Sequence, residues 1–289
     1  MLEMSERGKR RLAYGFWRYQ AEQVDEGVRM LALVRENGID HLDTADVYGG
    51  KSGFGGAERL LGAIRKQAPK LLDGAVIATK AGCEPGSPYN SSPAYLTQAC
   101  DASLARLGVS RIDLFYVHRP DLLTHPADLA GGLDDLVAAG KIASVGVSNF
   151  TAAQIEALAR YLKAPIRVHQ IEFSAGKVQP LFDGTLDQGM KKKIAVAAWS
   201  PMAGGRLGDG GPVEFARVRE TLASLAGKYV TSPTAIAIAF LQMHPACVTP
   251  ILGTTKPDRL REALDAAKVT LSRHDWYAIV EAARGERMP

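Results

Sequence analysis

Short apolar stretches alternate with longer amphipathic ones along the chain. Apolar runs at 11–14, 39–43, 75–80, 112–117, 142–147, 167–171, 194–199 and 248–252 predict eight strands. Three of them, at 112–117, 142–147 and 194–199, are nearly continuous, as in a parallel sheet covered on both faces. Helical patterns lie between. Residues 93–107 open with Ser92 as a cap and Pro93 in the first turn, carry Leu96, Ala99, Cys100, Ser103, Leu104 and Leu107, and stop at Gly108. Residues 126–139 open at Pro126 and end at Gly140. Thr151 and Gln154 have capping-box spacing. Ser232-Pro233 opens a helix with Ile236, Phe240 and Met243 on one face; 257–267 follows, and 272–284 is an additional C-terminal helix. Glycine-rich patches at 49–56 and 203–211 read as loops. This alternation predicts an α/β fold, a single (β/α)8 TIM barrel domain over 1–289.

Composition narrows the partners. The chain has 289 residues, which suits one barrel of about 250 residues. Lys plus Arg is 35 and Asp plus Glu is 31, a net charge of +4. The excess is spread out, with Lys191-Lys192-Lys193 the only run, so neither nucleic acid nor a membrane surface is expected as partner. A small anionic ligand fits that balance. Cys83, Cys100 and Cys247 are odd in number and far apart, and read as free thiols of a reducing compartment. No apolar run is long enough to span a bilayer, and the charged segment Met1–Arg11 lacks a signal-peptide core. A cytoplasmic protein is expected, of no stated oligomeric state.

Barrel chemistry sits at the carboxyl ends of strands. The proposed ends supply Asp43 with Tyr48 in the next loop, Lys80, His118, Ser148 with Asn149, Gln170, Trp199 with Ser200, and Gly253 with Thr254. Asp43, Tyr48, Lys80 and His118 form a coherent set. A tyrosine is a poor acid at neutral pH until a nearby ammonium lowers its pKa. A carboxylate keeps that ammonium charged, and a histidine can bond the substrate oxygen. The set suits protonation of an oxygen on which negative charge develops. It holds no Ser or Cys nucleophile paired with a base.

Those residues lie in seven motifs: Leu42–Gly49, Ala78–Lys80, Tyr116–Asp121, Gly146–Phe150, His169–Glu172, Trp199–Arg206 and Pro250–Lys256. Their content and order resemble the aldo-keto reductases over nearly the full length, in particular a bacterial subgroup. The resemblance implies Tyr48 as general acid, Lys80 as its tuner, Asp43 as the partner of Lys80, and His118 as the group orienting the carbonyl. It implies NADPH bound across the barrel mouth and a small-molecule aldehyde or ketone as substrate. Ser148, Asn149 and Gln170 would hold the carboxamide, and Trp199 would stack on the nicotinamide. The loop of Ser200, Pro201, Met202, Gly204, Arg206 and Leu207 would cover the pyrophosphate. Gly253, Thr254, Thr255, Lys256, Arg259 and Glu262 would surround the adenosine 2′-phosphate and adenine. Gly15 and Trp17 resemble the family's first cofactor loop. Trp17, Tyr48, Tyr89 and Phe150 would wall the substrate. The family often has Asn where Ala263 stands, so adenine contacts are fewer.

Other readings compete. A non-enzymatic or weakly active NADP(H)-binding redox sensor subunit is the alternative that resemblance leaves open. A metal-dependent barrel hydrolase would draw on His41, Asp43, Asp46, His118 and His169, but no His-x-His or His-Glu-x-x-His occurs, so no metal is expected. Residues 45–52 are a near-miss to a phosphate-binding P-loop, with Ala45 where glycine is needed. His41 is expected to pack outside the barrel; His125, His244 and His274 are expected in ordinary loop or helix-flank positions.

Overall fold

A computed structural model of the chain describes residues 11–289. Residues 1–10, most of the charged N-terminal segment, lie outside the described residues. The strands are β1 (Ala13–Gly15), β2 (His41–Asp43), β3 (Val76–Ala81), β4 (Leu114–Val117), β5 (Val145–Ser148), β6 (Ile166–Glu172), β7 (Ala195–Trp199) and β8 (Thr249–Leu252). They close into a barrel in sequence order. The helices among the described residues are α1 (Val24–Glu36), α2 (Gly56–Gln67), α3 (Pro93–Leu107), α4 (Pro126–Ala138), α5 (Ala152–Ala159), α6 (Thr185–Lys192), α7 (Ala216–Tyr229), α8 (Pro233–Gln242), α9 (Pro257–Leu264) and α10 (Arg273–Arg284). The predicted (β/α)8 architecture is the one observed.

The described chain divides into two compact units after Gln170. The first, Ala13–Gln170, holds β1 to β5 and most of β6. Every residue of β1, β2, β4 and β5 is buried, the consequence of a parallel sheet covered by helices. Register lines up the carboxyl ends: Gly15 pairs with Asp43, Lys80 with Tyr116, Tyr116 with Gly146, and Ser148 with Gln170. Local signals fix the helices. Ser92 Oγ accepts from the Tyr95 amide, Pro93 starts α3, and Gly108 at φ 65° ends it. The Thr151–Gln154 capping box is complete at the head of α5.

The second unit holds residues 11–12 and Ile171–Pro289. Its α8 is buried at every position from Ala235 to Leu241 and is apolar all round, as a core helix must be. Ser272 caps α10 through the Asp275 amide. The Asp275 carboxylate accepts from Lys228 Nζ (2.8 and 2.9 Å), Tyr229 Oη (2.6 Å) and Ser272 Oγ (2.7 Å), tying α10 to the end of α7.

The elements depart from expectation in four places. Ile112 and Ile142 meet only as an isolated bridge, and β4 and β5 begin two and three residues later. Asp113 turns its carboxylate to the Ile77 amide (2.9 Å), a side-chain bond that displaces the ladder there. The helix expected over 257–267 ends at Leu264, and Asp265–Lys268 forms a 3-10 turn. The glycine-rich patch 49–56 includes a 3-10 turn and the first residue of α2. Finally, α1, α2, α6 and α7 were not predicted. In α1 the signal is plain, since Gly27, Met30, Leu31 and Val34 are buried at helical spacing; α6 buries only Thr185, Leu186, Gln188 and Gly189, too polar a face to read.

The hydrogen bonds to Lys228, Tyr229 and Ser272 hold the Asp275 carboxyl well below the usual carboxylate range. Its contribution is therefore present above that range and lost as pH falls through it. Asp275→Ala is expected to lower unfolding free energy by about 1–3 kcal/mol at neutral pH. Chemical denaturation should show the gap from wild type closing in acid; a gap independent of pH would contradict this.

Candidate active site

Asp43 ends β2, and Lys80 is the next-to-last residue of β3. Lys80 is fully buried. Its Nζ donates to Asp43 Oδ2 (2.6 Å) and to the Thr44 carbonyl (2.8 Å). The other carboxylate oxygen, Asp43 Oδ1, accepts from Gln170 Nε2 (2.8 Å). Burial works against the ammonium, but Asp43 and Tyr48 outweigh it and hold the lysine above its ordinary pKa. Lys80 is thus charged at neutral pH.

Tyr48 is half-buried in the loop after β2. That loop is pinned by its backbone: the Thr44 amide donates to Ala78, Asp46 to Lys80, and Ala57 to Tyr48. The Lys80 Nζ lies 4.9 Å from the Tyr48 ring centre. His118, just past β4, meets the same ring edge-to-face with centroids 5.7 Å apart. Burial pushes the Tyr48 phenol above its usual pKa; the nearby Lys80 pulls the other way but does not win. Lys80 thus lowers the phenol's pKa as expected, but desolvation of the phenolate is the larger effect and leaves the group above its usual value. The tyrosine keeps its proton at neutral pH. His118 is held well below the usual histidine range by burial, then by Lys80 and Arg119, so its imidazole is neutral.

Beside these four stand the polar ends of β5 and β6. Asn149 takes φ 60°, unusual for a side-chain-bearing residue. Its Nδ2 donates to Ser148 Oγ (2.8 Å) and to the His118 carbonyl (3.2 Å), and its amide to Gln170 (2.9 Å). Asp43, Tyr48, Lys80, His118, Ser148, Asn149 and Gln170 are thus one connected group within the first unit. Gly15 is buried in β1, Trp17 and Tyr89 are exposed, and Phe150 is buried.

In the second unit Trp199 ends β7, and the next loop places Ser200, Ala203, Gly204 and Gly205 at positive φ. Pro201 and Leu207 are buried, whereas Met202 is partly accessible. Arg206 is already engaged: its Nε donates to the Ala203 carbonyl (2.7 Å), and its guanidinium lies 4.9 Å from the Phe215 ring centre. Gly253 and Thr254 are partly accessible; Thr255, Lys256 and Arg259 are exposed, with Lys256 at the cap position of α9. Glu262 Oε2 accepts from Thr234 Oγ1 (2.9 Å).

Three buried groups lie outside the predicted set. Glu58 accepts from Thr79 Oγ1 (2.5 Å) and Arg106 Nε (2.6 Å). Asp46 is fully buried, and neither carboxylate oxygen makes a hydrogen bond of ordinary geometry with a described residue; burial, then Glu58, push it up to about 8. His41 is not packed outside the barrel. Strand side chains repeat every two residues, so His41 shares the face of Asp43. It is buried, feels Asp43 and Lys80, and burial lowers it to about 4. Period two was the signal for His41; a polar residue inside a motif was the signal for Asp46. His125 and His244 accept from amides two residues on, and His274 is exposed, as expected.

The sequence matches the model of the Aldo/keto reductase family over residues 11–284, and the chain belongs to that family. It is 41% identical over 282 residues to a 6-dehydroglucose reductase of Novosphingobium aromaticivorans, covering 96% of this chain and 93% of that one. A 6-dehydroglucose reductase of Agrobacterium fabrum is 32% identical over 290 residues, covering 96% and 95%. The fold is similar to that of the thermostable aldo-keto reductase Tm1743, solved with the inhibitor epalrestat: TM-score 0.81, 23% identity, 97% of this chain and 98% of that one. Family membership makes the chain an oxidoreductase of a class that uses NAD(P)H on small-molecule carbonyl compounds.

The buried Asp46 ionises at higher pH folded than unfolded, so its ionisation costs stability progressively as pH rises from about 4 to about 8. Asp46→Asn should therefore gain on wild type by about 1–3 kcal/mol between those pH values, measured by chemical denaturation. A difference that does not change with pH would contradict the raised carboxyl.

Proposed function

We propose that the protein is an NADPH-dependent carbonyl reductase with Tyr48 as general acid, Lys80 and Asp43 as its electrostatic support, and His118 orienting the carbonyl. The observation that carries this reading is a charged, fully buried Lys80 4.9 Å from the ring centre of a protonated Tyr48. A phenol that keeps its proton can donate it as charge develops on the carbonyl oxygen, and the ammonium then stabilises the phenolate left behind. Neutral His118 can donate one hydrogen bond to that oxygen without adding a charge that competes for the proton. Asp43 keeps Lys80 charged and in place.

When bound, NADPH supplies the hydride to the carbonyl carbon. Ser148, Asn149 and Gln170 offer amides and a hydroxyl suited to its carboxamide, and Trp199 a ring suited to stacking. Gly15 and Trp17 flank the first strand's end. The Ser200–Leu207 loop, with Pro201, Met202, Gly204 and Arg206, suits the pyrophosphate. Thr254, Thr255, Lys256 and Arg259 present hydroxyls and two exposed cations around the head of α9, with Gly253 before and Glu262 behind, a donor set for a phosphomonoester. Trp17 and Tyr89 offer accessible aromatic surface for a substrate wall, to which Tyr48 and the buried Phe150 would also contribute. The two relatives named 6-dehydroglucose reductase make a sugar aldehyde the first substrate to assay.

Tyr48→Phe should lower kcat by about a hundredfold or more and leave NADPH affinity within about twofold, since the hydroxyl donates only as charge develops. Turnover near wild type would contradict the acid assignment. Lys256→Ala with Arg259→Ala should raise the Kd for NADPH roughly ten- to hundredfold and alter NADH binding little. Equal losses for both cofactors would place these cations elsewhere than at the 2′-phosphate.

A further inference from the structure

Lys80 has a second aromatic neighbour besides Tyr48. Tyr116 lies in β4, in register with Lys80 of β3, so the two side chains leave adjacent strands at the same level. It stands two residues before His118, on the same strand face. The Lys80 Nζ is 5.7 Å from the Tyr116 ring centre and 4.9 Å from that of Tyr48. Both distances fall within cation–π range, where the negative face of the ring attracts an ammonium, the more so when water is excluded.

The barrel makes specific room for that ring. Tyr116 pairs with Gly146 of β5, and a Cβ added at Gly146 would stand 2.5 Å from Tyr116 Cδ1. A side chain at 146 would thus displace the ring from its place beside Lys80. Tyr116 is fully buried, and its hydroxyl, near Gln170, makes no hydrogen bond of ordinary geometry with a described residue. A buried hydroxyl that makes no well-formed hydrogen bond contributes little to core stability. What the position supplies is the ring.

We propose that Tyr116 is a positioning residue for the reduction proposed above, its ring fixing the Lys80 ammonium beside Tyr48. Asp43 and the Thr44 carbonyl hold the ammonium by hydrogen bonds, and the Tyr116 ring supports it from β4. Without that ring the ammonium gains a direction in which to move, and its pull on the Tyr48 phenol weakens. The proposal rests on the assignment of Tyr48 as general acid, but the ionisation of Tyr48 can be read without any turnover.

The test compares Tyr116→Leu, Tyr116→Phe and wild type in two measurements. The first is the pH profile of kcat with NADPH and an aldehyde. The second is carbon NMR of ring-labelled tyrosine, with the Tyr48 signal assigned by its loss in Tyr48→Phe. Tyr116→Leu should lower kcat about tenfold or more, leave the Kd for NADPH within about twofold, and move the basic limb and the Tyr48 ionisation to higher pH. Tyr116→Phe keeps the ring and should restore rate and ionisation to near wild type. If the leucine variant does not fold, Tyr116→Met, of similar bulk and without a ring, takes its place. An unmoved Tyr48 ionisation in the ringless variant, or equal loss in the phenylalanine variant, overturns the proposal. A wild-type protein with no carbonyl reduction, yet with Tyr48 ionisation moved by Tyr116→Leu, would overturn the proposed reaction and leave the positioning role supported.

Discussion

A buried ammonium is among the most demanding groups a barrel can hold, and the site is built around one. Lys80 has lost all contact with water, so its charge depends on what faces it from neighbouring elements. Asp43 gives a carboxylate oxygen, Thr44 a carbonyl, and Tyr48 and Tyr116 their ring faces. Asp43 is in turn held by Gln170. The constraint therefore reaches from β2 to β6. Removing Asp43 would leave a buried charge unpaired, which commonly costs about 3–5 kcal/mol. Fold stability and acid–base poise thus rest on the same contact.

The surrounding groups follow from that choice. With Lys80 charged, a second cation close by is unfavourable, and His118 and His41 are both pushed toward neutrality, chiefly by burial and further by Lys80. Asp46, two residues before Tyr48, is raised to about 8, so one carboxyl near the ammonium is largely protonated. The buried Lys80–Asp43 ion pair thus has neutral His118, His41 and largely protonated Asp46 around it, while Arg119 and the Glu58–Arg106 pair add further charge nearby. Such an arrangement favours a proton donor that becomes an anion only during reaction, because stabilisation is in place before the charge appears.

The strand pattern was legible because a parallel barrel writes its strands as apolar runs, and three of those runs were nearly unbroken. The four residues proposed for catalysis were legible because Asp43, Lys80 and His118 stand at or beside strand ends and Tyr48 lies in the loop after β2. Boundaries were less so. Asp113 interrupts the run at 112–117 by bonding the backbone of β3, a contact no local pattern encodes. Helix α6 offered little apolar surface to read. His41 was misplaced although strict alternation settles it: two residues from Asp43 means the same face. The net effect on Tyr48 was beyond the sequence, because it depends on burial and on distance together. Tyr116 was visible as part of an apolar run; its place beside Lys80 needs the register of β3 against β4 and the missing side chain of Gly146.

The central claim is that the buried charge of Lys80 is what allows Tyr48 to act as an acid. Lys80→Met removes the charge and keeps most of the volume. Steady-state turnover of this variant, measured beside direct titration of NADPH, separates catalysis from binding. The account predicts a fall in kcat of about a hundredfold or more with the Kd for NADPH within about threefold of wild type. Turnover within a few-fold of wild type in a folded Lys80→Met protein would contradict it.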